Sequence, residues 1–463
     1  MAISFRIRSP FFAFTLSVAI LIAMLNGVSL GQTFTTLLNL DQNTGTFPAE
    51  AFTPVADGNL YTSTMMNGAN GWGTILGITP AGKPIFEYSF TGGTGNGNTP
   101  LTLGNDGNLY GVYFNTYTEA PGGVFKLTTS GQFTVLHVFN GNDGYAPYPS
   151  DKLALAPDGS FYGTTTGGGT HNMGTIFRIT SSGAFNSLHS FNGTDGSSPG
   201  ALTPGLDGNF YGTTYEGGSV GSGTFFRVTP TGALTVLYNF TEFSIGSPDQ
   251  DGLAVDNDGD FYGTIPNGGA HKDGEIFKMT PNGDYTLLYT FSGPDGGLPF
   301  GAMTMGNDGN FYGATYGFGA FGYGTVYRFT PSGTLTTLHN FDFTDGDASY
   351  DITQYPTGVF YGTTGNGGPG GVQGGTFYSL DMGLPPFVAF QPILGKVGQT
   401  VRIGGRGLTG TTSVSFNGTE ATFKVFSDRV LQATIPQGAT TGPVSVVTPN
   451  EMLNGNRNFV VLP

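Results

Sequence analysis

A chain of 463 residues with 80 Gly, 40 Phe, 22 Tyr and only 10% charged residues is too long for one ordinary core and too aromatic for disorder, so it reads as short half-buried strands joined by tight turns. The absence of cysteine excludes disulfides, thiolate metal sites, a cysteine nucleophile and a lipid-modified cysteine anchor. A formal net charge of −15 repels phosphate backbones and anionic lipid, so nucleic acid is not an expected partner; acidity that keeps an exported protein soluble accounts for the charge.

Residues 1–31 read as a signal peptide. Arg6 and Arg8 precede the apolar run PFFAFTLSVAILIAML, and the small residues Ser29 and Gly31 stand before Gln32. The alternative is a retained anchor of about the minimum spanning length. No later stretch is apolar enough to cross a bilayer, so the cleaved protein is expected to have no membrane span and to be secreted, extracellular or held in the cell envelope, periplasmic or on the outer surface.

Residues 32–382 carry a repeat. Asp-Gly, then an aromatic residue or Leu, then Tyr recurs from Asp57, Asp106, Asp158, Asp207, Asp258 and Asp308, with Thr357-Gly358 standing in once, at intervals of about fifty residues. The tyrosines are Tyr61, Tyr110, Tyr162, Tyr211, Tyr262, Tyr312 and Tyr361, and their recurrence assigns them to packing between units. In the unit 151–199, LALA and FYGTT flank Asp158-Gly159 as a two-residue hairpin, and TIFRIT and AFNSLHSF flank Ser181-Ser182-Gly183. Four antiparallel strands repeated seven times predict an all-β, seven-bladed β-propeller. The seventh unit stops at its third strand, GGTFYSL, while FTTLLNL at 34–40 matches LTTLHNF at 335–341. The N-terminal strand is therefore expected to close blade seven, since a linear array would leave two open edges.

The run DGNFYGTT…GG…GTIFRITPSG…LTTLHNF resembles the GloVer tandem-repeat family of exported bacterial proteins over roughly residues 33–380. The resemblance implies propeller blades and carries no enzyme chemistry. After Leu380 the repeat ceases and Pro385-Pro386 marks a linker. Residues 383–463 alternate apolar and polar residues as a β-sandwich would, and GKVGQTVRIGGRGL, VSFNGTEATF and GPVSVVTP resemble the IPT/TIG immunoglobulin-like domain, which implies a spacer or docking module. Its Arg402, Arg406, Lys424 and Arg429 are too interspersed with acid to bind DNA.

Catalytic motifs are missing: no G-x-S-x-G elbow, H-E-x-x-H, Walker loop or dinucleotide fingerprint occurs. His137, His189 and His339 share one fourth-strand position with Tyr238 and Tyr289, an interchange that points to aromatic packing. Asp143, Asp195, Asp295 and Asp345 sit in glycine turns that could offer calcium a ligand, though a turn-forming side chain is the simpler reading, and no cofactor is expected. Lys126, Arg178, Arg227, Lys278 and Arg328 recur on the third strand, with Gly77 and Ser379 breaking the ring, and are expected to pair with acidic turns. The long, varied connections, from strand two to three and from strand four to the next unit, should emerge on one face. Candidate binding residues there are Trp72, Tyr117, His171, Tyr215, Glu216, His271, Tyr316 and Phe318, with Tyr323 nearby. The expectation is a non-enzymatic binding or scaffold protein contacting a glycan or a cell-surface or extracellular protein. The alternative is a carbohydrate-active enzyme with a carboxylate pair on the same face.

Overall fold

The computed structural model describes residues 32–48, 52–55, 58–92, 99–114, 122–145, 152–241, 248, 251–369 and 374–463; the expected signal peptide lies outside the described residues. These residues form an all-β, propeller-like fold with no α-helix among them. Between residues 33 and 381 the strands make seven sheets of four or five strands. In the third, Ala154–Leu155, Phe161–Thr165, Thr175–Ile179 and Phe185–Ser190 pair antiparallel in chain order. The second and third strands bury nearly every side chain, as sheets packed on both faces must, whereas the fourth is half-buried to exposed throughout. Thr33–Asn39 pairs with Thr376–Asp381, with Phe34 opposite Leu380, so the N-terminal strand completes the last sheet.

What holds neighbouring sheets together is a repeated aromatic step. Each repeated tyrosine is buried, and five of the seven rings meet the phenylalanine one strand position earlier in the following unit: Tyr110 with Phe161 at 4.2 Å, Tyr162 with Phe210 at 4.2 Å, Tyr211 with Phe261 at 4.4 Å, Tyr262 with Phe311 at 4.2 Å and Tyr312 with Phe360 at 4.1 Å, while Tyr61 and Tyr361 pack with Leu109 and Leu60. The hydroxyls remain satisfied, with Tyr110, Tyr211 and Tyr312 donating to Asp106, Asp207 and Asp308 at 2.8, 3.0 and 2.9 Å. One core joins last unit to first: Tyr355, Tyr361 and Phe377 pack with Leu40, Phe52, Leu60 and Leu76, and the Tyr355 hydroxyl donates to the Gly58 carbonyl at 2.7 Å. The array is therefore closed on itself.

The short hairpins differ from the two-residue form expected of Asp-Gly. Ala156 N–H donates to Ser160 O and Gly159 N–H to Ala156 O, so the turn spans Ala156–Gly159, and the glycine alone is left-handed, at φ 80°. The same turn forms at Gly104–Gly107, Gly205–Gly208 and Gly306–Gly309, where Asn105, Leu206 and Asn307 stand in place of Pro157, so the left-handed glycine, as the bulge that restores strand twist, is what the turns share. Thr180–Gly183 repeats the pattern between strands three and four. The recurring bases pair with the acids of the first turns: Lys126 with Asp106 at 2.9 Å, Arg178 with Asp158 at 2.9 Å and Lys278 with Asp260.

Residues 389–462 form two further sheets. One orders Ala389–Gln391, Thr400–Gly404, Val430–Thr434 and Phe423–Ser427; the other orders Leu394–Lys396, Met452–Leu462, Gly442–Val447, Ser413–Phe416 and Thr419–Glu420. Between them lies one core that includes Phe390, Ile403, Phe416, Leu431, Val444 and Phe459. This unit and its linker touch all seven first-hairpin turns. Arg429 packs on Gly58, Arg402 on Gly107, Leu462 on Gly208, and Leu384 and Pro385 on Gly358. Gln399 Nε2 reaches Pro157 O at 3.5 Å, Asn458 N donates to Asn257 Oδ1 at 3.0 Å, and Asn307 Nδ2 donates to Pro385 O at 2.8 Å. Ile393 bridges the two regions, packing both on the sandwich core and on the core around Tyr211 and Phe261.

Candidate functional site

The face opposite the sandwich is built by the long connections, and hydrogen bonds between them show that both sets emerge together. Gly169 N donates to Gly141 O at 2.9 Å, Gly218 N to Gly193 O at 2.8 Å, Gly319 N to Gly293 O at 2.8 Å and Gly368 N to Phe343 O at 2.8 Å, each joining the loop after strand two to the loop that left the preceding unit. Beneath these contacts lies a buried threonine pair. Thr165 and Thr175 Oγ1 are 2.9 Å apart and Thr175 Oγ1 donates to Asp143 O at 3.0 Å; Thr214 with Thr224 and Thr315 with Thr325 repeat the arrangement toward Asp195 and Asp295. Where it occurs, the pair anchors a varied loop to the sheet end.

The loop aspartates are engaged as turn formers. Asp195 Oδ1 accepts from Asn192 N at 2.9 Å, as Asp143 accepts from Asn140, Asp295 from Ser292 and Asp345 from Asp342. Their second oxygens meet the fourth-strand position: His137 Nε2 lies 3.1 Å from Asp143, His189 2.9 Å from Asp195 and His339 2.7 Å from Asp345, while the Tyr289 hydroxyl donates to Asp295. The same imidazoles stack, His137 on Phe185 and His339 on Phe34, each at 3.7 Å. The interchange of His and Tyr thus reflects two demands, a flat ring and a polar tip within reach of a carboxylate. No group of three or more His, Asp or Glu placed to hold a metal occurs among the described residues.

The candidate binding residues divide into those that meet solvent and those that support the fold. Tyr215 is 45% exposed and Phe318 41%, with Phe321 at 62%. Glu216, His171 and His271 are exposed too, the histidines in loops of the third and fifth units. Trp72 is half-buried against the core around Tyr61 and Phe90, and Tyr316 is half-buried between Phe300 and Tyr350, at 5.7 and 5.6 Å. Tyr117 lies outside the described residues. Tyr323 partners Phe343 at 5.3 Å beside Phe318, making the sixth unit the aromatic side of the face.

The fifth unit holds a group that motif reading overlooked. Ile265 and Glu275 replace the threonine pair, and Glu275 is buried with Oε2 lacking a hydrogen-bond partner. Burial pushes its carboxyl up from the ordinary range against an opposing hydrogen bond from Thr290. The signal was present as a break in the Thr register, visible only once that register is known to be buried.

The Gloeobacter/Verrucomicrobia repeat profile matches residues 26–206 and 199–426. No curated protein matches the chain. Among solved structures, a catalytically inactive virginiamycin B lyase from Staphylococcus aureus with quinupristin is similar at a TM-score of 0.54 and 19% identity, covering 76% of this chain and 99% of that one. The BP39L lectin from Burkholderia pseudomallei is similar at a TM-score of 0.50 and 8% identity, covering 70% and 97%. At these identities the likeness is one of fold.

Proposed function

The chain belongs to the Gloeobacter/Verrucomicrobia repeat family, and from that premise we propose that it is a non-enzymatic exported binding or scaffold protein. Its seven sheets are the blades of a seven-bladed β-propeller over residues 32–382. Residues 383–463 are an IPT/TIG immunoglobulin-like spacer or docking unit, and residues 1–31 are a signal peptide that directs the protein to the cell envelope or beyond. The ligand, a glycan or a cell-surface or extracellular protein, meets the long-loop face without a cofactor. The observation that carries the reading is the position of the sandwich against all seven short turns, which leaves the long-loop face as the accessible one. Exposed Tyr215, Phe318 and Phe321 supply the aromatic surface that sugars and peptide side chains pack against.

Glycan-array and extracellular-peptide pulldown screens test the proposal. A hit is expected to weaken in Tyr215→Ala or Phe318→Ala, while Tyr215→Ala changes stability by less than about 0.5 kcal/mol, as surface substitutions do. A ligand whose binding ignores both substitutions and responds instead to changes in the C-terminal sandwich would place the contact elsewhere.

A further inference from the structure

The innermost strands and the sandwich line a partly open cavity of about 380 Å³, of the size that small-molecule sites occupy. Its wall comes from the innermost strands, and the repeat register fixes which residues face it. The residue six positions ahead of each short-turn Asp, or of Thr357, is Pro100, Lys152, Ala201, Gly252, Ala302 or Asp351 in the second to seventh units, and all six line the cavity. Four of these are uncharged and compact, which opens the lumen. Lys152 and Asp351 are the two charged members, and they sit three units apart in a ring of seven, on opposing sides.

The sandwich stops one end of this lumen with Phe390, Pro392, Ile393 and Arg457. Arg457 is half-buried in the chamber wall, and burial there disfavours its guanidinium charge. No hydrogen bond or ion pair links its side chain to another described residue. A guanidinium with five donors that faces a cavity and has no protein acceptor is placed to take its acceptor from what the cavity holds.

We propose that this chamber is a binding site for a small monocarboxylate with an apolar body, whose carboxylate pairs with Arg457. The planar fork of arginine matches a carboxylate in two parallel hydrogen bonds. Leu202, Leu253, Met303 and Ile393 provide wall for the apolar part. The chamber also contains Asp251 and Asp351, so the two cations are balanced by two anions. A single carboxylate gives Arg457 an acceptor while adding the least negative charge to that balanced setting, whereas a phosphate or a polycarboxylate would add more.

Isothermal titration of the full chain with sodium hexanoate and sodium benzoate, against hexanamide and benzamide as neutral isosteres, tests the assignment. Carboxylates should bind at least about tenfold more tightly than their amides, and Arg457→Met should remove that preference. Ala302→Phe fills the lumen without altering its charge and should weaken carboxylate binding by about tenfold or more; Tyr215→Ala, on the outer face, should leave it unchanged. Equal binding of acid and amide, an unaffected Ala302→Phe protein, or no heat from any probe at about 10 mM overturns the proposal. If Arg457→Met does not fold, the acid-amide difference and Ala302→Phe decide. Because the probes never require the long-loop face, failure here leaves the proposed surface ligand untouched.

Discussion

On one face of the ring the connections are four-residue turns, each locked by one left-handed glycine, and the C-terminal sandwich rests on them. On the other they are long and unequal, stitched to one another by glycine N–H groups and anchored from below by threonine pairs. The first face is uniform because it must be: strand twist, turn closure and domain docking all use the same atoms. The second tolerates variation because its constraint sits one layer down, at Thr165–Thr175 and their counterparts, leaving the tips free to carry Tyr215 in one unit and Phe318 in another. Repetition within a chain therefore marks where geometry is required, and departure from it marks where chemistry can be placed.

The strongest way to break this contrast is to open the ring. Deleting residues 33–39 removes the outer strand of the last sheet together with Phe34, which stacks on His339 and Tyr378. The loss of Phe34 and Leu38 packing alone, roughly 4 kcal/mol, should lower the melting temperature by about 5 °C or more. A truncated protein that melts with the parent would show that neither face depends on closure.

Next in size is Tyr211→Ala. Its ring is 1% exposed and meets Phe225 and Phe261, so denaturant unfolding should report a loss of about 3 kcal/mol. An equal loss on replacing exposed Tyr215 by Ala would erase the difference between frame and loop.

Gly208→Val tests the turn face more finely. The glycine holds φ 83° with only Leu462 within 4 Å of a new side chain, so backbone strain dominates and the cost should be about 1–3 kcal/mol. Gly223, on the loop face, holds φ 92° with the Thr214 carbonyl 2.0 Å from where a Cβ would stand; any side chain there must displace backbone, and Gly223→Ala should cost more than Gly208→Ala in the same melt.

The smallest effect is acid sensitivity. Burial raises the Asp106 carboxyl, but hydrogen bonds from Lys126, Asn108 and Tyr110 together outweigh it and bring it down to about 2. A carboxylate depressed in the folded state stabilises fully above its unfolded value near 4, and that contribution fades as pH falls from about 4 toward 2. Asp106→Asn should flatten this part of the stability profile while lowering stability modestly at neutral pH, which paired unfolding curves at pH 7 and about pH 3 would check.

Much of the frame was legible in the sequence because its causes are local and recur. The Asp-Gly period, the seven tyrosines and the match of 34–40 to 335–341 each foretell an observed strand, buried ring or pairing. The two-residue hairpin was misread because Asp-Gly serves two turn geometries, and here only its glycine is left-handed, closing a four-residue turn with a bulge. Less of the candidate site could be read. Whether an aromatic in a glycine-rich loop faces water or its own sheet depends on contacts remote in the chain, which is why Trp72 and Tyr316 turn inward while Tyr215 and Phe318 do not. The sandwich's position on the turns, and Arg457 in the chamber wall, rest on contacts between residues that no spacing relates.

The pairing of Phe34 with Leu380 has a temporal consequence. Thr33–Asn39 precedes every other described strand in synthesis and must wait for almost the last repeat before its partner exists. Contacts so distant in sequence are slow to form, because the loop between them must be ordered first. Until then the third strand of the seventh unit is an open edge that invites pairing with a neighbouring chain. A polypeptide of this design gains its lasting structure in one late step, so its yield should depend on how sparsely nascent molecules are crowded while the first strand is still unclaimed.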